Sequence, residues 1–202
     1  MQLPEGKLGR ELVLAAVELL GRAGREATVR VQGESMRPTL RPGQLLAVEF
    51  SADRLVVGDL LLFRQGDSLL VHRLLGDARP LDGRRRLRTR GDGVATLDPA
   101  VDLTHVAGRV IAIEDSGRWL STRTGAAGAY ARCLAWHDRF WAAVGVIAHY
   151  PERALGRVRV TLRLRAAVAV LDRALLQLIH RLLFRRLHRE VPPPDGMRGQ
   201  LP

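Results

Sequence analysis

The stretch GESMRPTLRPGQLLAVE, residues 33–49, decides the fold of the chain. It carries Ser35 in a glycine-containing turn, followed by Met36 and Pro38, a second turn at Pro42-Gly43 and an apolar run of β character. Glycine and serine are common in turns for backbone reasons, so a serine close to a glycine is on its own most simply a turn residue. The residues around Ser35 favour a different interpretation, in which the turn presents a reactive serine immediately before a strand.

Short runs of strand character lie on both sides of this turn. They are TVRVQ at 28–32, QLLAVEF at 44–50, DLLLF at 59–63, SLLVHRLL at 68–75, RLRTR at 86–90 and HVAGRVIAIE at 105–114. The dipeptides that separate them are Pro42-Gly43, Gly58-Asp59, Gly66-Asp67, Gly76-Asp77 and Asp82-Gly83. Short apolar runs that alternate with turns are typical of a small sheet-rich domain, which we place at residues 27–115.

Further blocks follow the serine turn in a fixed order. They are VGDLLLF at 57–63, LLVHRLL at 69–75, TRGDGVATLD at 89–98 and VAGRVIAI at 106–113. Together with the serine turn, these blocks resemble the signal peptidases of the S24/S26 peptidase superfamily, in their histidine-type branch of archaea and the endoplasmic reticulum. The resemblance covers about residues 29–114. It implies a mainly β fold, a partly closed antiparallel β domain, and the activity of a serine endopeptidase.

A base for Ser35 can be chosen by comparing the branches of this superfamily. A serine hydroxyl is a poor nucleophile at neutral pH and needs a neighbour that takes its proton. The bacterial signal peptidases and the self-cleaving repressors place a lysine on the strand that carries VHR here, whereas the histidine-type branch places a histidine. This position is His72, and the only lysine of the chain, Lys7, lies outside the similar region. His72 is therefore the predicted general base.

Two carboxylates compete to orient His72, because an imidazole base works best beside a carboxylate that fixes its tautomer. The histidine-type family has two acidic positions six residues apart, and Asp92 and Asp98 have this spacing. We expect Asp98 to orient His72 and Asp92 to support the turn or the site. Met36 and Pro38 are the candidate substrate-binding residues. The backbone N–H of Ser35 is the expected oxyanion donor.

Helices are predicted on both sides of the β domain. Apolar residues at helical spacing indicate an amphipathic helix within residues 1–26. A Gly-, Ala- and Thr-rich linker is predicted at 116–135, a basic amphipathic helical region at 136–190 and a disordered proline-rich tail at 191–202. The expected architecture is thus a β domain with an N-terminal helix and a basic C-terminal helical appendage.

The charge of the chain is uneven, and this suggests a partner. Residues 116–202 hold 15 basic and 5 acidic side chains, whereas residues 1–115 hold 17 and 16. The region 136–190 fits a helix that lies on an anionic membrane surface, or equally a helical hairpin that packs on the domain. No apolar run reaches the roughly 18 to 20 residues that span a bilayer. The expected location is peripheral on a membrane, with the cytoplasm as the alternative.

The predicted function is cleavage of signal or leader peptides after small residues by a Ser-His(-Asp) mechanism. A dedicated cytoplasmic maturation protease for a peptide precursor and a non-catalytic module that binds membrane surfaces remain open as alternatives. A self-cleaving regulator is disfavoured, since that branch uses the lysine that is missing here. The expected partner is a peptide or preprotein, and no nucleic acid, cofactor or metal is expected.

Overall fold

The computed structural model describes residues 19, 26–50, 54–78, 84–94, 96–123, 128–129, 131–137 and 189–194. Within them, nine strands form one sheet in which every pair is antiparallel. The strands are β1 Glu26–Arg30, β2 Leu45–Phe50, β3 Leu60–Gln65, β4 Ser68–Ala78, β5 Arg86–Arg90, β6 Val101–Asp102, β7 Val106–Asp115, β8 Arg118–Ser121 and β9 Glu190–Val191. A short 3₁₀ helix spans Leu103–His105, and residues 128–129 and 131–137 are helical. The mainly β fold is confirmed.

The strands are arranged in the order β1-β2-β7-β3-β4-β5-β6, and β8 pairs with β7 and with β9. All six predicted runs form strands, within about two or three residues of their predicted ends. Each of them is a run of at least five residues with strand character, long enough to be recognised from the sequence. The two-residue strands β6 and β9 offer no such pattern.

Strand β4 runs through a dipeptide that the sequence predicts to be a turn. Gly76-Asp77 was expected to end the strand, but β4 continues to Ala78. The pairing with β5 shifts register between Leu74 and Gly76, and Gly76 has a φ of 140°. Glycine tolerates this backbone conformation, so the dipeptide forms an irregularity inside the strand rather than a turn between strands.

The predicted linker at 116–135 is wrong in its first part. Ser116 and Gly117 form a turn with φ values of 56° and 80°, and this turn folds the next residues back onto β7 as β8. Trp119 is buried on β8 and pairs with Val191 of β9. The tail predicted to be disordered from residue 191 therefore begins inside a strand. Most of the predicted helices at 1–26 and 136–190, and residues 195–202, lie outside the described residues.

The two largest apolar cores of the described residues lie on opposite faces of the sheet. On β3, Leu60 and Leu62 belong to one core, whereas Leu61 and Phe63 belong to the other, because successive side chains of a strand point to opposite faces. Leu40, from the loop between β1 and β2, is fully buried in the first core. Burial of a leucine side chain stabilises a fold by about 1.5–3 kcal/mol. The loop that carries the serine is thus anchored in the hydrophobic interior.

The helical residues 131–137 lie against the loop that precedes β3. A Cβ atom added to Gly58 would come within 2.9 Å of the carbonyl carbon of Ala131. Among the residues that the structure describes, no helix has the length and apolar character that spanning a membrane requires.

Candidate active site

Ser35, His72 and Asp98 form one continuous hydrogen-bonded chain. The Nε2 atom of His72 lies 2.9 Å from the Oγ atom of Ser35, and Nδ1 lies 2.7 Å from Oδ2 of Asp98. Ser35 comes from the loop after β1, His72 from the middle of β4, and Asp98 from the segment that follows β5. The fold therefore joins three residues that are 37 and 26 positions apart in the chain.

The imidazole of His72 is held from several directions. The residue is 5% exposed, and Leu61 of β3 is its register partner in the sheet. The Phe63 ring stands edge-on to the imidazole, with 6.0 Å between ring centroids. A Cβ atom on Gly91 would come within 3.0 Å of Nε2, so the backbone of residue 91 closes over the ring. These contacts leave the imidazole little freedom to rotate away from Ser35.

The Asp98 carboxylate receives two side-chain hydrogen bonds on the same oxygen. Oδ2 accepts from Nδ1 of His72 and, at 2.7 Å, from the Oγ1 hydroxyl of Thr89. Burial acts to raise the pKa of Asp98, but these hydrogen bonds and the positive charges of His72 and Arg90 outweigh it, so the pKa lies below its usual value. Asp98 is thus a charged acceptor, and Nδ1 must carry the proton of neutral His72. The Nε2 lone pair is left to accept from Ser35.

Asp92 lies in a second polar cluster. Its carboxylate is bound by Arg73, with Nε to Oδ1 at 2.8 Å and Nη2 to Oδ2 at 2.6 Å. The Thr39 hydroxyl also donates to Oδ2, and Nη1 of Arg73 donates to the Gly58 carbonyl at 2.9 Å. Arg73 and Asp92 are both nearly inaccessible to solvent. Asp92 therefore joins the serine loop, β4 and the turn after β5, and the carboxylate that contacts His72 is Asp98.

The turn Gly91-Asp92-Gly93 packs directly on the serine loop. The N–H of Gly93 donates to the Ser35 carbonyl at 2.8 Å. A Cβ atom on Gly91 would come within 2.5 Å of the same oxygen, and one on Gly93 within 2.9 Å of the Arg37 carbonyl oxygen. Real Cβ atoms do not approach so closely, so both positions require glycine while the loop stays where it is. The turn fixes the backbone that carries the nucleophile.

The two candidate substrate-binding residues occupy different environments. Met36 is 2% exposed and packs in the core with Leu40, so its side chain anchors the loop and is not presented to a substrate. The expected role of Met36 is corrected accordingly. Pro38 is half-buried and follows a cis peptide bond. A substrate contact of Pro38 stays a prediction.

Three residues of the two polar clusters were missed from the sequence: Thr39, Arg73 and Thr89. Arg73 is a charged residue within the apolar run LLVHRLL, which signals a buried ion pair. Thr89 lies two residues before Gly91 and alternates with Leu87 on β5, so the strand period places both side chains on one buried face. Neither pattern indicates which residue lies opposite. Only the fold shows that Arg73 contacts Asp92 and that Thr89 contacts Asp98.

The arrangement can support attack by a serine oxygen. His72 is placed to accept the Ser35 proton, and charged Asp98 is placed to stabilise the imidazolium that would form. In the described part of the chain, no group of three or more potential metal ligands lies together. A mainly antiparallel β domain with this site has the features of a serine peptidase.

Comparison with known protein families also indicates a serine peptidase. Residues 7–90 match the model of the Peptidase S24-like family. This match supports the S24/S26 peptidase superfamily and a function of the serine-protease type. It includes Ser35 and His72 and ends before Asp92 and Asp98. No curated protein matches the chain significantly.

Proposed function

We propose that this protein is a serine endopeptidase in which Ser35 is the nucleophile, His72 the general base and Asp98 the residue that orients His72. The observation that carries the proposal is the unbroken series of contacts from Ser35 Oγ through the imidazole to the Asp98 carboxylate. A serine next to a histidine is common in proteins, but a buried histidine bonded to both a serine and a charged carboxylate meets the geometric requirement for nucleophilic catalysis.

The reaction follows from this geometry. Ser35 Oγ attacks the scissile carbonyl carbon while Nε2 of His72 takes its proton, and the backbone N–H of Ser35 stabilises the oxyanion. Protonated His72 gives the proton to the leaving amine, which leaves an acyl ester on Ser35. Water then attacks the ester, with His72 again as base, and releases the second product. Asp98 stabilises the imidazolium in both halves of the reaction.

The proposed substrate is a signal or leader peptide that is cut after small residues. This specificity is supported by the resemblance of the serine turn and the VHR strand to the histidine-type signal peptidases. A dedicated peptide precursor in the cytoplasm would use the same chemistry, and the two substrates differ in whether cleavage depends on a membrane.

A peptide that carries Ala-x-Ala tests the proposed activity. We expect cleavage by the wild-type protein in the presence of membranes, and a loss of kcat of about 10³-fold or more in Ser35→Ala, His72→Ala and Asp98→Asn. Ser121→Ala and His105→Ala are the matched controls, since Ser121 lies on β8 and His105 in the 3₁₀ helix, and both should retain activity. Undiminished cleavage by Ser35→Ala would refute the proposal.

We also propose that residues 136–190 bind an anionic membrane surface. Trp136 is 65% exposed at the end of the described helical residues, and the basic excess of the chain follows it. Amphipathic basic segments bind anionic lipids through apolar burial and charge attraction. Because the chain returns to the sheet as β9, the sharper test replaces residues 138–188 with a flexible linker instead of truncating the chain.

This replacement should release the protein from vesicles that contain phosphatidylglycerol, while the full chain binds them and loses affinity at high salt. Full-length Ser35→Ala should bind as well as wild type, since membrane binding and catalysis use different residues. Equal vesicle binding with and without residues 138–188 would favour the helical hairpin and contradict the membrane role.

A further inference from the structure

Thr89 holds Asp98 through both its backbone and its side chain. Its hydroxyl donates to Asp98 Oδ2 at 2.7 Å, and its carbonyl accepts from the Asp98 N–H at 3.1 Å. Thr89 lies on β5 and is 0% exposed. The residue is therefore fixed by the sheet and is shielded from any substrate.

We propose that Thr89 is a positioning residue that sets the direction of the Asp98 carboxylate and, through it, the hydrogen bond between Asp98 and His72. This inference rests on the proposed peptidase function. Thr89 itself does not touch the reacting atoms, and its effect passes through the oxygen that it shares with His72.

The need for such a residue follows from where Asp98 lies. Asp98 belongs to the irregular segment between β5 and β6, so no ladder of strand hydrogen bonds fixes the backbone that carries its side chain. The two hydrogen bonds to Thr89 connect this segment to β5, the strand that pairs with β4 and so with His72. Without the hydroxyl, the carboxylate keeps one side-chain donor and can rotate away from Nδ1.

The hydroxyl also affects protonation. The hydrogen bond from Thr89 is one of the interactions that lower the pKa of Asp98. Removing it raises the proton affinity of the carboxylate itself, but a carboxylate that has rotated away from Nδ1 stabilises protonated imidazole less strongly. Because His72 must be neutral to act as the base, weaker stabilisation of its protonated form should shift the acidic limb of the pH–rate profile to lower pH.

Thr89→Val removes the hydroxyl and keeps the shape of the side chain. We expect kcat to fall about tenfold with KM changed less than about twofold, because a lost hydrogen bond to a charged group weakens catalysis and buried Thr89 cannot contact substrate. The acidic limb should move to lower pH, and Thr89→Ser should restore both kcat and the limb. Thr122→Val is the matched control, since the Thr122 hydroxyl donates to the Val110 carbonyl at 2.7 Å, and it should leave both unchanged.

A spectroscopic readout separates this proposal from the peptidase proposal. In Ser35→Ala protein, the Nδ1–H proton of His72 reports the bond to Asp98 by NMR without any substrate. Adding Thr89→Val should shift this resonance upfield or broaden it by solvent exchange, whereas adding Thr89→Ser or Thr122→Val should not. If Thr89→Val does not fold, Thr89→Cys compared with Thr89→Ser carries the same test. An unchanged resonance and an unchanged acidic limb in the variant without a hydroxyl would overturn the role of Thr89.

Discussion

The neighbours His72 and Arg73 show how one dipeptide supports two polar clusters. Successive side chains of a strand point to opposite faces, so His72 reaches Ser35 and Asp98 while Arg73 reaches Asp92. The residue types Ser35, His72 and Asp98 could be proposed from the sequence through the family resemblance. The choice between the two carboxylates could not be settled there, because it depends on Arg73 and Thr89, whose partners are distant in the chain.

The lowered pKa of Asp98 gives a pH dependence of stability with a defined sign. A carboxyl whose pKa is lower in the folded state stabilises the fold above its unfolded pKa, and this contribution is lost as pH falls through the folded pKa. We therefore expect the difference in unfolding free energy between wild type and Asp98→Asn to shrink as pH falls from neutrality to about pH 3. Urea unfolding across this range measures the difference, and a difference that grows on acidification would contradict the assignment.

The Arg73–Asp92 ion pair should matter more for stability than an exposed pair. Asp92→Asn removes the carboxylate charge that faces the buried Arg73 cation, which costs about 3–5 kcal/mol of unfolding free energy. Asp77→Asn is the matched control, because it breaks the exposed Arg85–Asp77 pair, which is worth about 0–1 kcal/mol. Chemical denaturation of both variants measures the two costs. Equal small losses would show that the buried cluster does not brace the serine loop.

At the scale of elements, the turn after β5 is the part of the fold that fixes the serine loop. Gly91→Ala would place a Cβ atom within 2.5 Å of the Ser35 carbonyl oxygen and 3.0 Å of His72 Nε2. We expect this variant to lose most of its peptidase activity and to melt at a lower temperature. Gly33→Ala should keep the wild-type melting temperature, since an added Cβ there meets nothing within 4 Å. Wild-type activity in Gly91→Ala would disprove the close packing of this turn.

The strands differ in how well the sequence predicts them. The long strands β2, β3, β4 and β7 contain apolar runs that identify them in the sequence. Strand β8 was assigned to a linker because its four residues are followed by a Gly-, Ala- and Thr-rich stretch. Its pairing depends on the Ser116-Gly117 turn and on β9, which is formed by residues about 70 positions later.

At the scale of the whole molecule, the chain leaves the described helical residues at 137 and returns to the sheet at 189. The Ser121 N–H donates to the Arg189 carbonyl at 2.9 Å, and β9 covers the edge of β8. Residues 190–191 therefore belong to the same sheet as the strand that carries His72, although the sequence favoured a separate tail.

Because residues 190–191 pair with β8, two ways of removing the basic region should differ in their effect on the melting temperature. Truncation before residue 189 should lower the melting temperature, because it exposes the edge of β8 and uncovers Trp119, which is 7% exposed in the full chain. Replacement of residues 138–188 by a flexible linker should preserve the melting temperature. Differential scanning calorimetry compares the two proteins, and equal stability would show that β9 contributes nothing to the sheet.

The most direct test of the central claim is detection of the acyl-enzyme. A substrate peptide is mixed with excess protein, the single turnover is quenched with acid, and the peptide that bears Ser35 is analysed by mass spectrometry. The account predicts that Ser35 carries the N-terminal portion of the substrate as an ester and that Ser35→Ala shows neither adduct nor product. Product formation at an undiminished rate by Ser35→Ala, or an adduct on a different residue, would contradict it.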